Sequence, residues 1–309
     1  MGFYTGSVNS YENLKDALIA ACVSEGWSAS DGIVSRDGLF VRLYHSSTST
    51  STEGPGLIAE VGNGQSGAAL VDPSPCRPRL GRVGSATDNP SFPAQYFIHI
   101  HANPAEVYVI LQFNVDGHYF LAFGQSDVPG IGGSGNWLGG TTKRGYPGST
   151  NGMVISTADG AGGGFGGNNG FSSGLFWGNY HTSSNLAVNN QAIHQGLDVE
   201  SWGSNLVSAS GLAPIVARQP NAWNGEALLL PIQVFVARPE NKRSLVADLK
   251  HARYIRVDNY DSGDIITIGP EQWRVYPFYR KNVSQRDGAG FSTITHTGTF
   301  GWALRYDPA

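Results

Sequence analysis

The stretch Tyr96-Phe97-Ile98-His99-Ile100-His101-Ala102-Asn103-Pro104-Ala105-Glu106-Val107-Tyr108-Val109-Ile110-Leu111-Gln112-Phe113-Asn114-Val115-Asp116-Gly117-His118-Tyr119-Phe120-Leu121-Ala122-Phe123 decides the fold. It is three apolar blocks separated by Asn103-Pro104 and Asp116-Gly117. Asp-Gly between apolar blocks signals a hairpin, because the tight turns that join antiparallel strands need residues that tolerate positive φ. The stretch therefore predicts strands Tyr96–His101, Glu106–Asn114 and His118–Phe123 in an antiparallel meander.

On the N-terminal side, Leu14, Leu18, Ala21 and Cys22 recur at helical spacing. Asn9 or Ser10 can cap that helix, Glu12 and Asp16 suit its positive end, and Gly26 can stop it. Ile33–Ser35 and Leu39–Leu43 flank Asp37-Gly38 and predict a hairpin. His45–Gly67 is rich in Ser, Thr and Gly, and Asp72–Pro93 is broken by proline. Both read as loops.

On the C-terminal side, Ala227–Val236 predicts a strand with Pro231 near its middle, hence an edge or a bulge. Tyr254–Val257 is a further strand. Ile265–Ile268, Gly269-Pro270 and Trp273–Tyr276 predict a hairpin, and Phe291–Thr297 with Phe300–Tyr306 predicts another around Gly298.

Between these parts, Gly124–Gly178 holds 19 of the 42 glycines in 55 residues. Glycine loses much entropy on ordering, so this stretch needs contacts from elsewhere to hold a shape. The fold class expected is mainly β: antiparallel sheets, sandwich or barrel-like, with one N-terminal helix and long Gly-rich loops. Residues 1–124 carry the helix and meander. Residues 125–226 form a Gly-rich insertion or interface region, and 227–309 a β region packed with 1–124 as one domain.

Composition narrows the function. Charged residues make up 14% of the 309 residues, against about 25% in an ordinary soluble domain. Hydrophobic residues at 40% supply a core, which excludes wholesale disorder. A net charge of −4 gives no bulk attraction to nucleic acid or an anionic membrane. Cys22 and Cys76 are too few for a disulfide scaffold and read as reduced thiols made in a cytoplasm. No basic-then-apolar leader opens the sequence, and no apolar run reaches the ~20 residues of a membrane span.

Catalytic motifs are sparse. Gly162, Gly164 and Gly167 match G-x-G-x-x-G, but no helix follows to hold a pyrophosphate. His99 and His101, at i and i+2, share a strand face and could chelate a transition metal with Glu106 or His118 as third ligand. A pair of hydrogen-bonded histidines fits the same spacing. Asp258, Asp261 and Asp264 could bind Ca²⁺ or act on a glycosidic bond, though an Asp-rich turn fits the local sequence better. Trp137, Phe165, Phe171, Trp177 and Tyr180 lie in or beside the glycine-rich stretch. They could stack on a sugar or anchor a protein interface. The interface explains both the glycines and the aromatics.

Three blocks resemble virion structural proteins of tailed bacteriophages. The first is Phe3-Tyr4-Thr5-Gly6-Ser7-Val8-Asn9-Ser10 with the helix after it. The second runs Phe97–Tyr108 and ends at Phe120–Gly124. The third is Gly263–Trp273, with Pro277 and Thr297-Gly298-Thr299-Phe300-Gly301-Trp302. The resemblance covers about half of the chain and carries no catalytic residue. It implies a non-enzymatic structural subunit of the tail, tail tip or baseplate, made in the host cytoplasm and supporting host attachment. Its partners would be other virion proteins and copies of itself in three-fold or six-fold rings, with no nucleic acid and no membrane span. A host-receptor or saccharide-binding tail protein is the alternative, and a head or neck decoration protein the second. A polysaccharide hydrolase would need two facing carboxylates, and no such pair stands out.

Overall fold

The computed structural model describes residues 1–47, 55–81, 90–128, 132–141, 153–154, 172–173, 191–197, 200–203, 228–237, 240, 242–286 and 296–307. Along the chain the first elements are Gly2–Val8 (β1), the helix Tyr11–Ser24 (α1), Ser28–Ser30 (β2), Ile33–Arg36 (β3) and Leu39–Ser46 (β4). Gly56–Gly62 (β5), Gly64–Ser66 (β6), Ala69–Val71 (β7) and Arg79–Gly81 (β8) follow. The meander is Ala94–Ala102 (β9), Ala105–Phe113 (β10) and Gly117–Gln125 (β11). Asn136–Gly140 (β12), Met153–Val154 (β13), Ser172–Ser173 (β14), Gln191–Leu197 (β15) and Glu200–Gly203 (β16) come next. Leu230–Ala237 (β17), Arg243–Arg256 (β18), Ile265–Ile268 (β19), Glu271–Pro277 (β20) and Phe300–Arg305 (β21) complete the described set.

The meander is the middle of a seven-stranded sheet ordered β1-β9-β10-β11-β12-β15-β16. A second sheet has five strands, β2-β3-β4-β5-β8, and a C-terminal sheet has five, β17-β18-β21-β20-β19. Pairing is antiparallel apart from the short β13–β14 pair. The fold class is the one expected, mainly β with one helix. The sheets stack, and none closes into a barrel.

The register assigns the faces of the central sheet. Tyr108 and Ile110 sit opposite Ala122 and Phe120. On this face Trp302 of β21 lies 5.0 Å from Phe120 and 5.6 Å from Tyr108. The intervening residues Val107 and Val109 pair with Phe123 and Leu121 on the other face. There Phe123 meets Trp27 at 6.0 Å, and α1 packs between the second sheet and strands β1 and β9. The meander is thus buried on both sides, which is why its strands read as near-continuous apolar runs.

Local chemistry explains the element ends. Ser10 caps α1, its Oγ accepting the Asn13 N–H at 3.1 Å, and Gly26 leaves the helix at φ 83°. Asp37 and Gly38 both have positive φ, as the two-residue β3–β4 turn requires. Pro231 lies in β17, an edge strand, beside a shift of register.

Several expectations need correction. The segment 45–67 is not all loop, because β5 lies within it and is buried along its whole length. Its glycines mark close approach: a Cβ at Gly56 would lie 2.7 Å from the Leu80 carbonyl oxygen, and one at Gly62 would lie 2.8 Å from that of Val71. The turn after β10 is Asn114-Val115-Asp116, with positive φ at Asn114 and Val115. Gly117 begins β11, where a Cβ would come 2.7 Å from the ring of Phe113. The strand around Tyr254 runs 14 residues, Arg243–Arg256. The Phe291–Thr297 half of the last hairpin lies mostly outside the described residues, and β21 pairs with β18 and β20. Within the 125–226 region, β12, β15 and β16 extend the central sheet. Both cysteines are free and buried, as expected. Among the described residues, no helix is long and apolar enough to cross a membrane.

Trp302 is buried against Phe120, Tyr108 and Phe278. Trp302→Ala is expected to cost about 3–5 kcal/mol in urea unfolding. A loss under about 1 kcal/mol would contradict the layered core.

Candidate functional site

His99 and His101 project from β9 toward the C-terminal sheet, on one face as the spacing predicts. His99 Nε2 is 2.9 Å from the Tyr276 hydroxyl, and Phe3 packs on its ring at 4.9 Å. His101 stacks on His251 of β18, with centroids 4.0 Å apart and planes within 4°. Glu106 faces His101 across the β9–β10 register. Its carboxylate accepts the Tyr108 hydroxyl at 2.8 Å and the backbone N–H groups of Lys250 and His251, each at 3.0 Å. These bonds tie the central sheet to β18.

Burial sets the protonation of this seam. It pushes His99 down to about 3, with the Arg274 charge adding to the effect. It pushes His251 down to about 4 and holds His101 well below its usual range, where the neighbouring His251 acts in the same direction. His118, at the other end of the meander, is lowered to about 4 by burial. Burial raises Glu106 to about 7 against the pull of its three donors. At neutral pH the rings are uncharged, which suits two imidazoles in face-to-face contact.

The arrangement is a packing seam between the central and C-terminal sheets. Among the described residues, no three His, Cys, Asp or Glu side chains converge to hold an ion. Glu106, one expected third ligand, is engaged by its three donors. His118, the other, places Nδ1 3.0 Å from the Tyr279 carbonyl oxygen and Nε2 2.8 Å from the Ser262 hydroxyl.

The other candidates separate. Trp137 is wholly buried within the chain's own core, 6.1 Å from Tyr108, and a Cβ at Gly124 would come 2.7 Å from its ring. The expectation that it anchors a partner or stacks on a ligand is therefore corrected. Phe165, Phe171, Trp177 and Tyr180 lie outside the described residues. Asp258 is held by Arg286 at 2.6 Å and Arg256 at 3.6 Å. Asp264 accepts the Asp261 N–H at 2.7 Å, closing a turn before β19. The three aspartates thus serve ion pairing and a turn.

Among the described residues β19 ends its sheet, and Ile265 and Ile268 on it are 46% and 43% exposed. It has neither a charge nor a proline to blunt it, so its free N–H and C=O groups can pair with another strand. The sequence showed the strand but not that it ends a sheet. The role of His251 had no local signal, because its partners lie about 150 residues away in the chain.

The sequence matches no protein-family model and no curated protein.

The neutral seam makes stability depend on acid. Unfolded histidines take up protons below about pH 6.5. The folded rings refuse them until about 4 at His118 and His251 and about 3 at His99, so stability falls as pH falls through that window. Glu106 acts oppositely, because its raised value favours the folded state at low pH and offsets about one histidine. The unfolding free energy is expected to drop by about 4 kcal/mol between pH 6 and 4.5. A flat profile in urea titrations would contradict a neutral buried seam.

Proposed function

We propose that the chain is a structural subunit of a bacteriophage particle, placed at the tail tip or baseplate, which joins neighbouring subunits and supports host attachment. The observation that carries this reading is the bare apolar edge at Ile265–Ile268. An edge of this kind favours association, since a strand from a neighbour satisfies its backbone groups while the isoleucines leave water. The same residues fall in the Gly263–Trp273 block that resembles virion proteins.

A second line of support is how the reactive side chains are used. Glu106 and Asp258 are engaged in holding layers or turns together. His99, His101 and His118 are buried in contacts within the chain. Neighbours in the particle would be copies of this chain and other virion proteins, and closed rings of three or six copies suit a tail.

The reading is tested in the intact particle. Antibody-gold labelling and a cryo-EM map of phage carrying the chain should place it at the distal tail, with β19 against a neighbouring subunit. Particles that lack the chain, or that hold it with β19 open to solvent, would refute the proposal.

A further inference from the structure

The turn before β12 is clasped to β15 by a closed circuit of hydrogen bonds that the reading above does not use. The Gly133 N–H donates to the Gln195 carbonyl oxygen at 3.1 Å, and the Gly135 N–H donates to that of His194 at 3.0 Å. Between them, the Ser134 N–H donates to Nδ1 of the His194 ring at 2.8 Å. The other ring nitrogen, Nε2, lies 3.2 Å from Oδ2 of Asp72. Asn63 donates from Nδ2 to the same oxygen at 2.6 Å, and its Oδ1 accepts the Ser134 hydroxyl at 2.7 Å. The path Ser134–His194–Asp72–Asn63–Ser134 closes on itself. It ties β12 and β15 of the central sheet to the turns that follow β5 and β7.

One bond in the circuit fixes the direction of the others. A backbone N–H is always a donor, so Nδ1 of His194 must carry a lone pair. The proton of the neutral ring then sits on Nε2 and faces the Asp72 carboxylate. A second proton can enter only at Nδ1, where it meets the Ser134 N–H donor to donor. Both ring nitrogens are engaged and the Ser134 hydroxyl serves Asn63, so these residues do not form a nucleophilic triad. Among the described residues, Asp72 is the charged group that acts on the ring. The neighbours on β12 and its turn are Asn136 and Ser134, after β5 Asn63, and on β16 Trp202, whose ring centroid lies 5.2 Å from that of His194. All four are uncharged. Trp202 also donates from Nε1 to the Asp72 carbonyl oxygen at 3.2 Å, which helps to hold Asp72 in place. Burial lowers the His194 pKa against the pull of Asp72, as expected where the closed circuit accepts only the neutral ring.

We propose that His194 is an acid-operated latch on the turn before β12. Protonation at Nδ1 expels the Ser134 N–H, releases residues 132–135 from β15, and leaves the charged ring held by Asp72. The release is local, because the ladder hydrogen bonds of the meander do not pass through His194. With the turn open the ring returns toward the ordinary value of about 6.5, so proton uptake favours the open form. The proposal stands on the circuit alone and does not depend on where the chain resides in a particle.

Nuclear magnetic resonance of the full chain, uniformly labelled with nitrogen-15, tests it. At about pH 7.5 the His194 ring should carry its proton on Nε2 and none on Nδ1. As the pH is lowered toward about 4, exchange of the Gly133–Gly135 amides should speed up by at least about tenfold relative to free amides, in step with the His194 titration. The Val107–Leu111 amides of β10 should still be protected at that point, which separates release of the turn from global unfolding. His194→Asn keeps an acceptor near the place of Nδ1 and does not titrate, so its turn should stay protected over the same range. Asp72→Asn removes the charge that favours protonation of the ring, and should move the release to lower pH. A proton on Nδ1 at neutral pH, titration of His194 without release, or no release before β10 opens would overturn the proposal. So would undiminished acid release in His194→Asn, or release at higher pH in Asp72→Asn.

Discussion

A sheet as apolar as this one has no face it can leave in water. β10 and β11 are buried along almost their whole length, so two further layers must close over them before the strands persist. Trp302, Phe278 and Tyr276 close one side. The helix and the second sheet close the other, with Trp27 on Phe123. Each large side chain brought out of water contributes about 1.5–3 kcal/mol, and the aromatic geometry adds to that. Because β21 comes from the far end of the chain, the core cannot be completed until both ends are in place.

The polar groups follow from the same constraint. A layer that sits on the meander must also satisfy whatever polar atoms it covers. Glu106 is the clearest case, since it meets two backbone N–H groups of β18 and a tyrosine hydroxyl. His101 avoids a buried charge by staying neutral against His251. Such contacts consume histidine and carboxylate chemistry inside the molecule.

Much of this architecture was legible in the sequence, and the failures have physical causes. The meander, α1 and the β3–β4 turn were readable because their signals are local: period, cap and Asp-Gly. The edge position of Pro231 followed from its missing N–H. β5 has no legible signal because its terminal glycines imitate a loop, although they are there for close contact with Leu80 and Val71. The glycines around Trp137 give it the look of an interface or ligand-stacking residue, whereas Gly124 makes room for its ring inside the core. The Glu106–His251 tie and the Ser134–His194–Asp72 circuit join residues far apart in the chain, and no local pattern announces either.

The central claim is that the chain acts through its edges, β19 foremost. Hydrogen exchange of the Ile265–Ile268 amides, followed by mass spectrometry in the free chain and in the assembled particle, tests this most directly. The account predicts fast exchange in the free chain and strong protection on assembly. Equal exchange in the two states would contradict it.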